Sequence, residues 1–368
     1  MVVGIGGLLA VVTGLLPLAE ARDVTVRLAP VLGFLAAVTV LAELADAADV
    51  FEVAAVRAAR LARGSVPVLY ALVVALGTLT TVLLSLDTTA VLLTPVVLAL
   101  ALRLGLRPLP FAITAVWLAN TTSLLLPVSN LSNLLAQGRL GLSATAYAGR
   151  MILPALAALA TTVLVLVVRF HRDLSGRYEV PPVTRPRDAV LFAAAALACL
   201  LFGPLVLLGV APWLAATPLA AALALAFAVR RRTDLRPGLV PWRLLVLTEG
   251  LFLIVSAAGR HGLDHLLARL VGSGGNGRVA AVAAAGANLV NNLPAYLALE
   301  RTVPRSNLLG LLAGINIGPL VLIWGSLATL LWRERCRARG VHVSFASFGL
   351  LGIVGMPIVL AATVLALP

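Results

Sequence analysis

The sequence predicts an all-α polytopic membrane protein, and three observations support that prediction. Apolar residues make up 61% of the 368 positions and charged residues only 12%, whereas soluble domains carry about 25% charged residues. The apolar residues form long continuous runs instead of alternating with polar ones, which favours helices over a membrane barrel. Many of these runs approach the roughly 20 residues that a helix needs to cross a bilayer.

Seven apolar runs without strong interruptions are the first candidate membrane-spanning helices. They are 2–18, 28–45, 151–168, 189–209, 213–229, 244–258 and 345–367. The first run follows no charged segment and precedes no small-residue cleavage site. We therefore expect a retained helix there, not a signal peptide.

Four further apolar stretches are interrupted by polar or helix-breaking residues. Two of them are predicted to form helical hairpins, at about 66–104 and about 277–302, with Asp87 at the tip of the first. The other two are predicted to be broken transmembrane helices, at about 108–136 and about 306–332.

Arginine residues orient the predicted helices. All 28 basic residues are arginines, and 19 of them lie in five connections: 57–63, 103–107, 169–187, 230–243 and 333–339. Connections rich in Arg and Lys remain in the cytoplasm, so these five are predicted to be cytoplasmic. This topology accounts for the net charge of +13, and we expect no nucleic-acid binding.

The predicted orientation implies inverted-topology repeats. Five cytoplasmic connections are possible only if each hairpin enters and leaves the membrane on one side, so both hairpins are predicted to be re-entrant. Irregular backbone at that depth must be buried in protein or line a cavity. The order helix, hairpin, broken helix, helix then occurs twice in opposite orientations, a pattern typical of secondary transporters.

The predicted units are a first transmembrane repeat at 1–170, a basic cytoplasmic linker at 171–187 and a second repeat at 188–368. Helix 2–18 is expected to correspond to 213–229. Helix 189–209 has no counterpart, so the first repeat is expected to be one helix short.

Asparagine residues concentrate at the interruptions. Eight of the nine lie in two windows, 120–133 and 288–316. A broken helix exposes unpaired N–H and C=O groups with partial charges, so two breaks facing two hairpin tips would enclose a small polar pocket. The alternative, that these amides only join helices, stays open. The candidate solute-binding residues are Asp87, Thr88, Thr89, Asn120, Thr121, Ser129, Asn130, Asn291, Asn292, Asn316, Gly318 and Ser326.

Two intramembrane acids, Asp87 and Glu249, are candidates for proton coupling. The alternatives are that Asp87 caps the second arm of its hairpin and that Glu249 pairs with an Asn or Arg. The spacing of Cys199 and Cys336 fits neither a metal site nor a disulfide, and no nucleotide-binding pattern occurs. We therefore expect no catalytic residues, no metal, no cofactor and no ATP hydrolysis by this chain.

Four stretches resemble the arsenite efflux permease (ArsB) family of the ion transporter superfamily, which is related to divalent-anion/sodium symporters and citrate-transporter-like permeases. They are 87–95 (DTTAVLLTP), 119–134 (ANTTSLLLPVSNLSNL), 291–294 (NNLP) and 317–332 (IGPLVLIWGSLATLLW). The resemblance implies an inverted-repeat homodimer that works by an elevator motion. It also implies exchange of arsenite or antimonite for protons, in some members with an ATPase subunit.

The sequence departs from this family at several positions. Leu86 precedes Asp87 where the family usually has Asn, and Asn120 and Asn316 occupy positions where it often has Asp. Leu320 replaces a Lys. These differences remove ionisable groups from the predicted core, so they bear on the solute and on proton stoichiometry rather than on the fold.

The sequence thus predicts a multi-pass secondary transporter of the cytoplasmic membrane that exports arsenite or antimonite as protons enter. Its partners would be the lipid bilayer, a small solute and protons. Trivalent arsenic is an uncharged trihydroxide at neutral pH, which suits a pocket of amides and hydroxyls. The alternatives are a Na⁺/H⁺ antiporter, a transporter of carboxylates or sulfate, and, more remotely, a non-transporting scaffold.

Overall fold

The computed structural model describes residues 2–368, so Met1, the first residue of the predicted first repeat, lies outside the described residues. The described chain is helical apart from its connections, with one isolated antiparallel bridge between Ser65 and Arg177. Eight of the described helices are long and apolar enough to cross a membrane. The prediction of an all-α polytopic membrane protein is confirmed.

The first half of the chain forms eight helices. They are α1 (Val2–Val12), α2 (Leu18–Ala47), α3 (Val50–Leu61), α4 (Val66–Leu83), α5 (Leu86–Arg103), α6 (Pro108–Thr121), α7 (Leu131–Leu140) and α8 (Ala144–Phe170). A short π-helical segment, Thr89–Leu93, lies inside α5.

The second half forms nine helices. They are α9 (Ala189–Leu207), α10 (Pro212–Arg230), α11 (Trp242–Ala258), α12 (Asp264–Val271), α13 (Asn276–Val290), α14 (Asn292–Glu300), α15 (Leu308–Ile317), α16 (Leu327–Ala338) and α17 (Phe345–Leu365). The segment Gly259–Leu263 joins α11 to α12.

The boundaries differ from the sequence prediction near the beginning of the chain. The predicted helix 2–18 ends at Val12, and α2 begins at Leu18, ten residues before the predicted start. Gly14 has a positive φ of 77°, and Pro17 lacks a backbone donor, so a helix cannot continue through this turn. The charged first turns of α2 are helical although their composition excluded them from an apolar run.

One rim of the molecule collects the arginine-rich connections. Arg187 pairs with Asp49 at 2.7 Å, and Arg107 pairs with Asp173 at 3.0 Å. Val66 N–H donates to Gly176 at 3.2 Å. Burial alone would raise the pKa of Asp49, but hydrogen bonds from Arg187 outweigh burial and hold it below its usual range. Both ends of the hairpin α4–α5 therefore lie on this arginine-rich rim.

The opposite rim holds both ends of the hairpin α13–α14. Arg27 of α2 pairs with Glu300 at the end of α14, at 2.9 Å. Asn307 donates to the carbonyl of Gly274, just before α13, at 2.8 Å. The two hairpins thus begin and end on opposite rims, as an inverted repeat requires.

The two halves pack on each other reciprocally. Helix α1 packs against α11 while α10 packs against α2; α7 packs against α14 and α15 while α16 packs against α5 and α6. Helices α8 and α17 contact each other. Each contact between the halves therefore has a matching contact, as α1–α11 matches α10–α2. A two-fold pseudo-symmetry between repeats would produce this pattern.

Candidate functional site

Both broken helices contain the same order of local structures. Two 3₁₀ turns, Thr122–Leu124 and Pro127–Ser129, follow α6 and lead to Asn130, the N-cap of α7. Two 3₁₀ turns also follow α15 and lead to Ser326, the N-cap of α16. The two turns and the following half-helix of the second break each begin 196 residues after their counterparts in the first.

Two buried asparagines make equivalent hydrogen bonds at these breaks. Asn120 Nδ2 donates to the carbonyl four residues earlier, at 2.8 Å, and to Thr329 Oγ1 at 3.3 Å. Asn316 Nδ2 donates to the carbonyl four residues earlier, at 2.9 Å, and to Asn133 Oδ1 at 3.1 Å. Each break is therefore held to the half-helix that follows the other break.

The equivalence ends at the side-chain oxygens. Asn316 Oδ1 accepts from Ser123 Oγ and Asn130 Nδ2, both at 2.7 Å. Asn120 Oδ1 is buried and has no partner within the described chain. The equivalent positions of the second break hold a proline, which has no side-chain donor, and Ser326, whose hydroxyl already caps α16. The first break therefore supplies two side-chain donors to Asn316, whereas the second break supplies none to the oxygen of Asn120.

The hairpin tips are tight turns held by side chains. Ser85 Oγ accepts from Thr88 N–H at 3.1 Å and caps α5. Asn291 has a φ of 89° and a ψ of 152°, a region that residues other than glycine adopt only where the surrounding structure holds them there. Its Nδ2 donates to the Trp324 carbonyl at 2.9 Å, which fixes the second tip to the second break.

An inner cavity of about 70 Å³ lies where the breaks meet the hairpin tips. Asp87 lines it from the first tip, Asn130 from the first break, and Asn291 and Asn292 from the second tip. Thr248 lines it from α11. Most of the remaining wall is aliphatic, and within residues 2–368 no arginine or histidine contributes to it.

A larger cleft of about 530 Å³ adjoins the inner cavity and shares Ser85 and Asp87 with it. Glu43, Arg243 and Arg335 line this cleft, together with the connection before α11. The cleft therefore approaches the cavity from the arginine-rich rim. Asp87 lies where the two spaces meet, and its carboxyl makes no hydrogen bond or ion pair with the part of the chain that the structure describes.

Contacts on the opposite rim join α2, α11 and α14. The Arg27–Glu300 pair joins α2 to α14, and Arg301 donates to Ser256 Oγ of α11 at 2.6 Å. These contacts hold the outer end of α14 against α2 and α11, on the side of the inner cavity away from the cleft.

The predicted site residues fall into two groups. Asp87, Thr88, Asn130, Asn291 and Asn292 line the inner cavity or the cleft. The others lie behind these walls: Thr89, Asn120, Thr121, Ser129, Asn316, Gly318 and Ser326.

The second group supports the site through hydrogen bonds. Thr89 bonds Thr81 at 2.7 Å, and Ser129 donates to a carbonyl of α4 at 3.0 Å. The Gly318 carbonyl accepts from Asn288 at 2.8 Å. These bonds fix the breaks to the hairpins and so maintain the shape of the cavity.

Glu249 lines neither space. Its Oε1 accepts from Thr25 Oγ1 of α2 at 2.5 Å, and its Oε2 is buried without a partner in the described chain. Close packing of Gly250 against Gly7 of α1 encloses this region. The acid therefore joins α2 to α11, apart from the cavity.

Sequence reasoning missed several polar residues that line these spaces, among them Thr248, Glu43 and Arg335. Thr248 is one hydroxyl in an apolar run, and nothing in the local sequence showed which face of α11 borders the site. Glu43 and Arg335 lie near helix ends, where charged residues commonly contact lipid headgroups. The sequence shows that both residues are charged. That they line the same cleft follows from the tertiary fold, which no local pattern shows.

Comparison with known proteins identifies the family. A family model described as "CitMHS: Citrate transporter" matches residues 1–303. The chain belongs to the citrate transporter family. Arsenical pump membrane proteins of Escherichia coli (strain K12) and Shigella flexneri are each 29% identical to it over 345 residues, covering 86% of this chain and 80% of theirs.

The fold of this citrate transporter family member is similar to that of a solved transporter structure. The chain aligns with the YdaH transporter of Alcanivorax borkumensis at a TM-score of 0.58 and 14% identity, over 94% of this chain and 86% of that one. The reported crystal structure of that transporter has an unusual topology. The predicted family resemblance is confirmed, and the chain is a multi-pass transporter of the cell membrane.

Proposed function

We propose that this transporter exports arsenite or antimonite in exchange for protons. One observation carries the proposal: the inner cavity offers one carboxyl, three amides and two hydroxyls, and no basic side chain within the described residues. The names of the arsenical pump relatives agree with it.

The cavity suits a small neutral solute. A volume of about 70 Å³ is several times the ~15 Å³ that a cavity needs to admit one water molecule, so a small solute has room. Arsenous acid is an arsenic atom carrying three hydroxyl groups, and each hydroxyl both donates and accepts hydrogen bonds. Asparagine side chains also offer donors and acceptors, so Asn130 and Asn292 can replace water around it.

The same cavity opposes an anion such as citrate. Its three carboxylates would face Asp87 with no basic side chain to pair them, and burying an unpaired charge is costly. The N-termini of α7 and α16 favour anions in principle, but each already has a capping side chain.

Asp87 provides a direct route to proton coupling. In the ionised form its carboxylate can accept a hydrogen bond from an arsenous acid hydroxyl. Protonation removes that charge and weakens the bond, so proton and solute compete for the same carboxyl. A proton that binds from outside would release the solute there, and loss of the proton to the cytoplasm would allow the next solute to bind.

A Na⁺/H⁺ antiporter is the second candidate, favoured by the same carboxyl. Asp87 and the oxygen atoms of the hairpin tips are ligands that a small hard cation prefers. Proton competition at Asp87 would couple its transport in the same manner.

Everted membrane vesicles containing the protein would distinguish these candidates. We expect arsenite and antimonite to accumulate when respiration acidifies the lumen, and a protonophore to abolish accumulation. Citrate, sulfate and Na⁺ should not accumulate above the level of vesicles without the protein. Accumulation of Na⁺ or citrate without arsenite would overturn the proposal.

A further inference from the structure

Thr248 has a hydroxyl with an unusual environment. Its side chain is 0% exposed, and its Oγ1 has no hydrogen-bond partner in the described part of the chain. A buried hydroxyl without a partner has lost its bonds to water without replacement, which is unfavourable. This hydroxyl therefore needs a partner that the folded chain does not supply.

Threonines inside helices commonly avoid this cost by bonding the carbonyl four residues earlier. Thr81, Thr114 and Thr121 do so in this structure, at 2.8–2.9 Å. Thr248 does not, although α11 is regular there. Thr162 of α8 shares this lack of a partner, but it lines neither the inner cavity nor the cleft.

The position of Thr248 indicates what the missing partner is. It lines the inner cavity together with Asp87, Asn130 and Asn292. Ser85, the other hydroxyl residue there, is already bonded to Thr88 at 3.0 Å. Thr248 is therefore the hydroxyl within residues 2–368 that remains free to bond a molecule in this cavity.

The part of the cavity wall formed by α2 is apolar, unlike the part formed by α11. Helix α2, the counterpart of α11 in the first repeat, lines the cavity with Phe34, Leu35 and Val38. These side chains form no hydrogen bonds. Of these two helices, α11 alone thus offers the cavity a polar side chain.

We propose that Thr248 Oγ1 hydrogen-bonds the transported solute and contributes to the preference for a hydroxylated one. The inference rests on the proposed function for the identity of that solute. A hydroxyl can donate and accept at once, so it can bond a hydroxyl group of arsenous acid that the amides leave unpaired.

Thr248→Val removes the hydroxyl and keeps the shape of the side chain. We expect the KM for arsenite in everted vesicles to rise about five- to hundredfold, with Thr248→Ser within about threefold of wild type. Thr162→Val is the matched control, since it removes another unpaired buried hydroxyl away from the cavity, and should leave KM unchanged. An unchanged KM in Thr248→Val, or an equal rise in both valine variants, would overturn the proposal.

A second measurement does not depend on which solute is transported. In a background with Cys199→Ser and Cys336→Ser, Thr248→Cys should react with methanethiosulfonate ethylammonium in everted vesicles, and Thr162→Cys should not. An unreactive Thr248→Cys would refute its place at the cavity. If wild type moves no arsenite, the proposed function fails; a reactive Thr248→Cys with an altered KM for another transported solute would still support the role of Thr248.

Discussion

At the scale of single residues, Asp87 has a position that most of the polar residues do not share. It borders both the inner cavity and the cleft, so it can contact a solute on one side and exchange a proton on the other. Glu249, the other intramembrane candidate acid, borders neither space and is bonded to Thr25. Position in the fold thus favours one acid over the other.

Asp87→Asn should therefore abolish accumulation driven by a pH gradient while leaving the protein folded and inserted. The amide cannot release a proton, so solute movement would no longer follow the gradient. Arsenite accumulation in everted vesicles measures this, and Glu249→Gln is the control expected to keep coupling. Wild-type coupling in Asp87→Asn, or loss of coupling in Glu249→Gln alone, would contradict proton coupling through Asp87 and make Glu249 the candidate.

Asn316 and Asn120 provide a second comparison at this scale. Asn316→Leu would leave Asn130 Nδ2 and Asn133 Oδ1 without a partner in the described chain and would remove one of the two bonds of Ser123 Oγ, whereas the oxygen of Asn120 is already unpaired. Asn316→Leu should therefore reduce stability by about 1–3 kcal/mol more than Asn120→Leu. Thermal unfolding in detergent measures the difference, and equal losses would count against the unequal networks.

At the scale of elements, close packing holds the second hairpin to its broken helix. A Cβ atom on Gly314 would overlap the Ala280 carbonyl and lie 2.6 Å from Ala283 Cβ. Gly318 approaches α13 in the same way. Helix α15 can lie against α13 only because these positions have no side chain.

Gly314→Ala should push α13 away from α15 and displace the tip that carries Asn291 and Asn292. We expect a loss of about 1–3 kcal/mol in stability, typical of overpacking, together with reduced transport. Gly149→Ala on α8 is the matched control, because a Cβ there meets nothing within 4 Å. Similar behaviour of the two variants in unfolding and uptake assays would contradict the packing account.

Some secondary-structure elements were predictable from the sequence and others were not. The hairpins and breaks were predictable because polar residues and prolines interrupt otherwise continuous apolar runs. Helix α3 was not predicted, because its arginines dilute the apolar pattern. The windows containing Asn120 and Asn316 were recognised, but their partners lie about 200 residues away in sequence, and no local pattern shows which amide borders a cavity.

At the scale of the whole molecule, the two rims make a prediction about topology. Ser175 lies exposed on the arginine-rich rim, and Ser273 lies exposed before α13 on the opposite one. In intact cells, Ser273→Cys should react with an impermeant maleimide, and Ser175→Cys only after permeabilisation, because arginine-rich connections stay in the cytoplasm. External labelling of Ser175→Cys would reverse the orientation.

The orientation also bears on the direction of transport. The cleft reaches the cavity from the arginine-rich rim, while the Arg27–Glu300 pair joins α2 to α14 on the opposite side. Export then requires a second state in which the cleft closes and this pair separates. If the two halves are inverted repeats, exchanging their conformations would produce that state.

The most direct test of proton-coupled arsenite export uses the purified protein in proteoliposomes without ATP. An imposed pH gradient, with an acidic lumen, should drive arsenite into the vesicles against its own concentration gradient, and nigericin with potassium should abolish the accumulation. Uptake that only equilibrates arsenite, or is the same with and without the pH gradient, would contradict proton-coupled export.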